Sequence, residues 1–169
     1  MDEKISLLQQ IFENVNSWLH FAEAKNAALI AFNVALLTAV ISSDFYGSYT
    51  LLLSIIIIGL LSSTIFAIYS FKPINKRLGK SGLKGIEDNL LHFAYIASLD
   101  RDEYIQKIYE YYWKESNMNI NDVSRLEKDY CEEIIDNARI AMRKQKYFGY
   151  GFRIVLLTII IIGILVICA

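Results

Sequence analysis

The sequence predicts an all-α membrane protein with three transmembrane helices and a helical cytoplasmic bundle. Its apolar residues are concentrated in three blocks without charge, Ala27–Ser43, Leu51–Phe71 and Ile154–Ala169. The hydrocarbon core of a bilayer is about 30 Å thick, and roughly 20 helical residues are needed to cross it. The second block is long enough by itself, and the other two span with help from flanking residues. Strands usually have only about 3–10 residues, so the length of the blocks argues against a buried sheet.

The apolar blocks divide the chain into four expected segments. These are an N-terminal amphipathic cytoplasmic helix (1–26), a transmembrane hairpin (27–71, with spans 27–43 and 49–71), a cytoplasmic helical region (72–150) and a third span (151–169). No proline or glycine occurs between Trp18 and Val40, so one helix can continue from water into the apolar medium. The last helix is expected to be continuous in the same way.

The distribution of basic residues predicts the orientation. Ten of them flank the second and third blocks on one side: Lys72, Lys76, Arg77, Lys80, Lys84, Arg139, Arg143, Lys144, Lys146 and Arg153. The loop between the first two blocks, Ser42–Ser48, carries only Asp44. Flanks rich in lysine and arginine stay in the cytoplasm. We therefore expect a cytoplasmic N-terminus and a periplasmic C-terminus.

The N-terminal segment carries one apolar stripe. Its members recur at spacings of three and four, as on one face of a helix: Ile5, Leu8, Ile11, Phe12, Val15, Trp18, Leu19 and Ala22. Such a helix could lie flat on the membrane. Because its polar face is not rich in lysine, an upright helix that runs straight into the first span is the favoured interpretation.

The region between the second and third spans is interpreted as a set of helices. Pro73 and the glycines that follow it form a linker. Asp100 and Glu103 resemble a capping box, which would open a helix that ends near Asn117 and Asn119. A long last helix is expected to begin at Asn121 or Asp122, with a possible kink at its two glycines, Gly149 and Gly151.

Three polar residues, Glu23, Lys25 and Asn26, stand directly before the first apolar block. A carboxylate this close to hydrocarbon needs a partner, because a lone buried charge is costly. Lys146 stands at a comparable distance from its own span. The hypothesis is an ion pair of Glu23 with Lys146 or Arg143, which would tie the first helix to the last. The alternative is a solvated Glu23 at the level of the headgroups.

Asn33 lies well inside the first span. A buried asparagine in a membrane commonly hydrogen-bonds to a neighbouring helix, and this is the favoured interpretation. The functional alternative is a ring of Asn33 side chains that lines the pore of an oligomer. Three spans cannot enclose an aqueous path alone, so a pore would require several copies of the chain.

No catalytic motif is found. The sequence lacks a glycine-rich phosphate loop, an HExxH motif and a nucleophile elbow, so we expect no enzymatic activity and no cofactor. Cys131 and Cys168 fall on opposite sides of the membrane in the expected topology. Neither has ligands nearby at the spacing of a zinc site, so no metal is expected.

Three segments resemble the transmembrane effector domain of the Pycsar antiphage systems. They are WLHFAEAKNAALIAFN (18–33), LHFAYIASLDRDEYI (91–105) and LEKDYCEEIIDNARIAMRKQKY (126–147). The resemblance implies a bacterial inner-membrane effector. Its trigger would be a nucleotide second messenger, made by a partner nucleotidyltransferase or cyclase during phage infection. The effector would then damage the lipid bilayer and arrest growth, as a homo-oligomer such as a tetramer.

An anionic messenger would need arginine and lysine side chains. The candidates are Lys72, Lys76, Arg77, Arg139, Arg143 and Lys144, with Lys80 beside them. The positive-inside rule and anionic lipids explain the same residues, so this alternative stays open. A second functional interpretation is a non-enzymatic membrane scaffold or anchor, which would bind a soluble partner through its cytoplasmic helices.

Overall fold

The structure of the chain, a computed structural model, describes residues 3–43, 49–73, 78–80 and 88–168. Its elements are α1 (Glu3–Ile41), α2 (Thr50–Ser70), α3 (Phe93–Ile96), α4 (Arg101–Tyr112), a 3-10 turn (Ile120–Asp122) and α5 (Arg125–Cys168). No strand occurs in these ranges, so the all-α prediction is confirmed. Helices α1, α2 and α5 are long and apolar enough to cross a membrane.

The first and last helices are continuous, as expected from the sequence. Helix α1 has 39 residues and α5 has 44, and α5 continues unbroken through Gly149 and Gly151. The chain divides into two compact units, to which both helices contribute. We call residues 1–21 and 74–143 the polar unit, and residues 22–73 and 144–169 the membrane unit.

The polar unit has its own hydrophobic core. The stripe predicted for the N-terminal segment enters this core through Leu8, Ile11 and Val15, each of which is at most 2% exposed. Its partners come from the other helices of the unit, and include Tyr104, Ile105, Ile108, Ile134, Ile135 and Ala138. The stripe is therefore covered by other helices of the polar unit.

Helix α4 begins where the sequence predicts and ends earlier. Its N-cap is Asp100, but the carboxylate makes no capping hydrogen bond. It pairs instead with the amine of Lys80 at 2.8 Å. The helix stops at Tyr112, well before Asn117, because the chain turns at Lys114 into the left-handed region, with φ of 57°.

The start of α5 differs from the sequence-based prediction. Asn121 and Asp122 belong to the 3-10 turn, and α5 begins only after Ser124. Ser124 and Glu127 form a capping box: the Ser124 N–H donates to Glu127 Oε2 at 3.0 Å, and the Glu127 N–H donates to Ser124 Oγ at 3.3 Å. The prediction at Asn121 or Asp122 was wrong because a stronger cap follows within three residues.

The carboxylate of Glu127 is also part of the core of the polar unit. The Tyr109 hydroxyl donates to Glu127 Oε1 at 2.8 Å, and the residue is only 6% exposed. Burial by itself would raise the pKa of Glu127. The hydrogen bonds from Ser124 and Tyr109 outweigh burial, and the pKa lies below its ordinary value. Desolvation and the same hydrogen bond raise the pKa of Tyr109, which stays a neutral donor.

Each helix of the membrane unit turns one stripe inward. The buried positions recur mostly at spacings of three, four and seven, the pattern of packed parallel or antiparallel helices. On α1 they are Ala22, Asn26, Leu29, Asn33 and Val40; on α2 they are Leu53, Ile56, Leu60, Ser63, Ala67 and Ser70; on α5 they are Lys144, Gly151, Val155, Thr158 and Leu165.

The outer faces of the same helices expose large apolar side chains. Leu51 is 78% exposed, Ile58 64% and Leu157 63%. Soluble proteins rarely expose contiguous apolar surface of this kind. The exposed faces are those of helices in contact with lipid, and they leave only the inward stripes to hold the unit together.

We predict that Glu127 gives the polar unit a pH-dependent stability. Because folding lowers its pKa below the ordinary value of 4.5, this stabilisation is fully present above that value and is lost as the pH falls through the folded pKa. Glu127→Gln should lose about 1.5–3 kcal/mol at neutral pH and lose this acid dependence. Thermal unfolding in detergent, followed by circular dichroism across a pH series, measures both effects.

Glu133→Gln is the matched control, since Glu133 lies on the same helix and is exposed. It should leave both the stability and its pH dependence close to those of the wild type. Equal behaviour of the two variants would contradict a structural role for the Glu127 charge.

Candidate functional site

A chain of hydrogen bonds crosses the interior of the membrane unit. The Asn33 amide donates through Nδ2 to Ser63 Oγ at 2.8 Å, and the Ser63 hydroxyl donates to the carbonyl of Gly151 at 2.9 Å. The three residues belong to α1, α2 and α5, and we call them the polar layer. Asn33 is 1% exposed and Ser63 is fully buried. The polar layer therefore joins all three spanning helices.

Small residues let the helices approach closely enough for these bonds. A Cβ at Gly151 would lie 3.0 Å from the carbonyl oxygen of Ser63 and 2.9 Å from Cδ2 of Leu29. A Cβ at Gly59 would collide with the hydroxyl of Thr158. Gly59 and Ser63 are four residues apart on α2, and both face α5. Small residues at this spacing are typical of tight helix contacts in membranes.

The polar layer leaves one strong acceptor without a donor. Asn33 Oδ1 is buried and has no hydrogen-bond partner among the described residues. An unsatisfied buried acceptor costs about 1–3 kcal/mol. The structure thus favours the interpretation of Asn33 as an interhelix contact. The amide oxygen of Asn33 remains able to accept a hydrogen bond from another donor.

A second polar group, which we call the junction cluster, consists of Glu23, Asn26, Ser70 and Lys144. The amine of Lys144 lies 3.1 Å from Glu23 Oε1 and donates to the Ser70 carbonyl at 3.1 Å. Asn26 Nδ2 donates to the Ala22 carbonyl at 2.8 Å and to the Lys144 carbonyl at 3.3 Å. Asn26 is fully buried, and the Lys144 side chain is 10% exposed.

The structure gives Glu23 a partner, Lys144, that the sequence-based hypothesis of Lys146 or Arg143 did not name. Helical geometry explains the difference. Residues two apart on a helix point in nearly opposite directions, so Lys144 and Lys146 cannot both face α1. The amine of Lys146 lies 5.9 Å from the ring centre of Tyr150, a neighbour on the same helix. Depth along a helix can be estimated from sequence, but direction around it cannot.

Lys25, the remaining junction residue, turns to a different partner. Its amine donates to Gln145 Oε1 at 2.8 Å and lies 5.0 Å from the ring centre of Phe148. Lys25 and Gln145 add a further contact between α1 and α5 beside the junction cluster.

The residues expected to bind a messenger fall into both units. Lys72 is exposed in the membrane unit, with its amine 5.6 Å from the ring centre of Tyr69. Lys144 is part of the junction cluster. Arg143 is half-buried in the polar unit. Lys76 and Arg77 lie outside the described residues.

Arg139, the last of this set, is held within the polar unit. Its guanidinium donates to the carbonyls of Leu78 at 2.9 Å and Leu99 at 2.8 Å. The side chain is 12% exposed. Arg139 therefore fixes the segment before α4, and it offers a ligand only the edge of its guanidinium.

A cleft of 530 Å³ opens beside Arg139, entirely within the polar unit. Its lining residues come from α4 with its N-cap and from α5: Asp100, Arg101, Asp102, Glu103, Gln106, Glu132, Ile135, Asp136 and Arg139. Carboxylates outnumber arginines here, so the cleft disfavours a ligand that carries several negative charges. The sequence analysis missed it. The only signal was the run Asp100–Glu103 opposite two acids four residues apart, Glu132 and Asp136.

Carboxylates of the cleft pair with Arg101, which lines it, and with Lys80, which is not among its lining residues. Arg101 contacts Asp102 at 2.8 Å, and Lys80 contacts Asp100 at 2.8 Å and Glu103 at 3.4 Å. The hydrogen bond to Asp100 is the main reason why the pKa of Lys80 is raised. Among the described residues, no group of three or more His, Cys, Asp or Glu side chains has the geometry to hold a metal ion.

Comparison with known families adds an independent finding. The family model of the Pycsar effector protein domain, PycTM, matches residues 7–169. The match includes nearly all of α1 and the whole of α2 to α5. Searches of curated proteins and of solved structures gave no match.

We predict that Gly151→Ala destabilises the membrane unit, whereas Gly149→Ala does not. The added methyl group at position 151 meets the Ser63 carbonyl and Leu29, but at position 149 it meets nothing within 4 Å. Overpacking typically costs about 1–3 kcal/mol, and alanine favours a helix equally at both sites. The two variants should therefore differ by about that amount in thermal unfolding in detergent. Equal shifts would show that the contact around Gly151 is loose.

Proposed function

The chain belongs to the family of Pycsar effector domains, and on this basis we propose that it oligomerises into a pore that a cyclic nucleotide opens. Members of this family are antiphage effectors that respond to a cyclic-nucleotide signal. Opening would permeabilise the bacterial inner membrane and arrest the growth of the infected cell. The role requires no catalysis by the chain.

The polar layer is the observation that carries the proposal. Polar side chains at the centre of a span are costly unless they have partners, and here Asn33 and Ser63 bond to each other and to Gly151. In an oligomer the same polar groups could line a path for water. Three helices are too few to surround water, so several copies, for instance four, would assemble. On opening, the helices would have to turn so that Asn33 and Ser63, which are buried within the single chain, reach a common axis.

We further propose that the polar unit receives the messenger on the cytoplasmic side. The positive-inside rule supports this orientation, with the N-terminus in the cytoplasm and the C-terminus in the periplasm. The cleft has the size of a small-molecule pocket. Arg101 and Arg139 would contact the phosphate, while carboxylates would accept hydrogen bonds from ribose hydroxyls or base amines. Because carboxylates outnumber arginines in the cleft, a cyclic monophosphate with its single negative charge would bind there more readily than a ligand with several.

Leakage from liposomes tests the pore. The purified chain, reconstituted in vesicles loaded with a fluorescent dye, should release the dye when one of a panel of purine and pyrimidine cyclic mononucleotides is added. Asn33→Leu should fold and insert but release much less dye, because leucine removes the polar group from the path. Thr38→Val is the control, since the Thr38 hydroxyl bonds within its own helix to the Val34 carbonyl at 3.0 Å.

If no cyclic nucleotide causes dye release, the proposal of a nucleotide-gated pore is contradicted, and a scaffold or anchor is favoured instead. Release by Asn33→Leu that equals that of the wild type would leave the pore but remove Asn33 from its lining.

Titration calorimetry tests the cleft. Arg101→Ala should weaken the binding of the active nucleotide by about tenfold or more, since hydrogen bonds to charged groups contribute about 1.5–3 kcal/mol. Arg125→Ala is the matched control, because Arg125 belongs to the polar unit, is 87% exposed and lies outside the cleft. Equal affinities of the two variants would place the binding site elsewhere, with the basic residues named from the sequence as the next candidates.

A further inference from the structure

We propose that the ion pair between Glu23 and Lys144 is an autoinhibitory contact that holds the membrane unit closed in the absence of a messenger. The proposal rests on the proposed function, because closure has a meaning only for a protein that opens. We call this ion pair the latch. When it breaks, the three helices separate or rotate at this end of the membrane unit.

Lys144 is the residue through which all three spanning helices meet at one end of the membrane unit. It belongs to α5, its amine contacts the carboxylate of Glu23 on α1, and the same amine donates to the carbonyl of Ser70 on α2. The ring of Phe71 lies 5.1 Å from the amine and covers it. A single cation thus contacts both of the other spanning helices.

The contact with Ser70 is favourable for a physical reason. Ser70 is the last residue of α2, and the final carbonyls of a helix have no intrahelical donor. These carbonyls also carry the negative end of the helix dipole. A buried ammonium group satisfies the carbonyl and is stabilised by the dipole. Without Glu23, the same cation would remain in a largely buried position with too little negative charge around it.

The backbone carbonyl of Lys144 adds a hydrogen bond to the junction cluster, but polar atoms of the cluster remain without partners. Its carbonyl accepts from Asn26 Nδ2 at 3.3 Å, a long bond. Asn26 Oδ1 is buried without a donor among the described residues, as is Asn33 Oδ1 seven residues further along the same face of α1. The closed packing therefore leaves two acceptors unsatisfied, and an opened arrangement that admits water would satisfy both. The ion pair favours the closed packing, and the two unsatisfied acceptors favour the opened one. The two packings are then close in free energy, so breaking the pair can switch the protein from one to the other.

The position of the pair in the chain fits this role. Lys144 is the first membrane-unit residue of α5, and Glu23 is the second membrane-unit residue of α1. Both helices continue without a break into the polar unit. The ion pair therefore lies within the first two membrane-unit residues of each helix.

Dye release without nucleotide tests the latch. In full-length protein reconstituted in vesicles, Glu23→Gln and Lys144→Met should each raise basal release severalfold, and added nucleotide should increase it little further. Lys144→Arg keeps the charge and should stay near the wild-type level. Lys146→Met is the matched control, because Lys146 is an exposed lysine on the same helix; it should behave as the wild type. If Lys144→Met does not fold, Glu23→Gln alone tests the latch, because glutamine preserves the shape of the side chain and removes only its charge.

A distance measurement separates this inference from the proposed function. Spin labels at Ala28 on α1 and Ile68 on α2, both exposed, report the separation of these helices in vesicles without any nucleotide. Glu23→Gln should lengthen or broaden the distance distribution, and Lys146→Met should not. An unchanged distribution together with unchanged basal release in Glu23→Gln overturns the latch. A changed distribution in a protein that never responds to nucleotide supports the latch and refutes the messenger-gated pore.

Discussion

Polar groups inside an apolar medium must find their partners within the protein, and the architecture of the membrane unit depends on this constraint. Helices satisfy their own backbones, so α1, α2 and α5 can expose leucine and isoleucine to lipid without cost. Their association then depends on the inward stripes. Because lipid is as apolar as leucine, small residues and hydrogen bonds give these stripes their specificity. Asn33, Ser63 and Gly151 supply both in one layer.

The two units treat charge in opposite ways. The membrane unit buries one lysine, and each of its contacts is defined: a carboxylate, a helix-terminal carbonyl and an aromatic ring. Apart from Arg139, and from Glu127 in the core, the charges that the polar unit places around its cleft lie mostly on an open rim, where water competes with each pair and each pair is individually weak. Weak and exchangeable pairs suit a surface that must release one partner to accept another. A pair whose cation is buried suits a contact that must hold until it is displaced.

The packing of the membrane unit does not satisfy all of its polar atoms. The amide oxygens of Asn26 and Asn33 are buried without donors among the described residues. The presence of these two asparagines on the inward face of α1 is easier to understand if a second arrangement, in which both oxygens meet water, is part of how the protein works. The junction cluster then has the task of keeping the first arrangement populated.

The sequence by itself determined the helical class, the three spans and the continuity of the first and last helices. Hydropathy over about 20 residues and the absence of helix breakers are local properties, and no tertiary contact overrides them. The family was also recognisable from three short segments. The ends of the helices were predicted less accurately. Asp100 was identified as a cap, but its carboxylate binds Lys80 instead. The capping box of Ser124 and Glu127 was overlooked.

Only the tertiary structure decided which side chains meet. Sequence places Lys144 and Lys146 at almost the same depth, and both are plausible partners for a carboxylate on α1. They point in nearly opposite directions around α5, and the direction that faces α1 is set by how Gly151, Val155 and Thr158 pack further along the same helix. The cleft of the polar unit depends in the same way on the facing of α4 and α5. Contacts between helices arise from the angle of each residue around its axis, and that angle is fixed only when the helices pack.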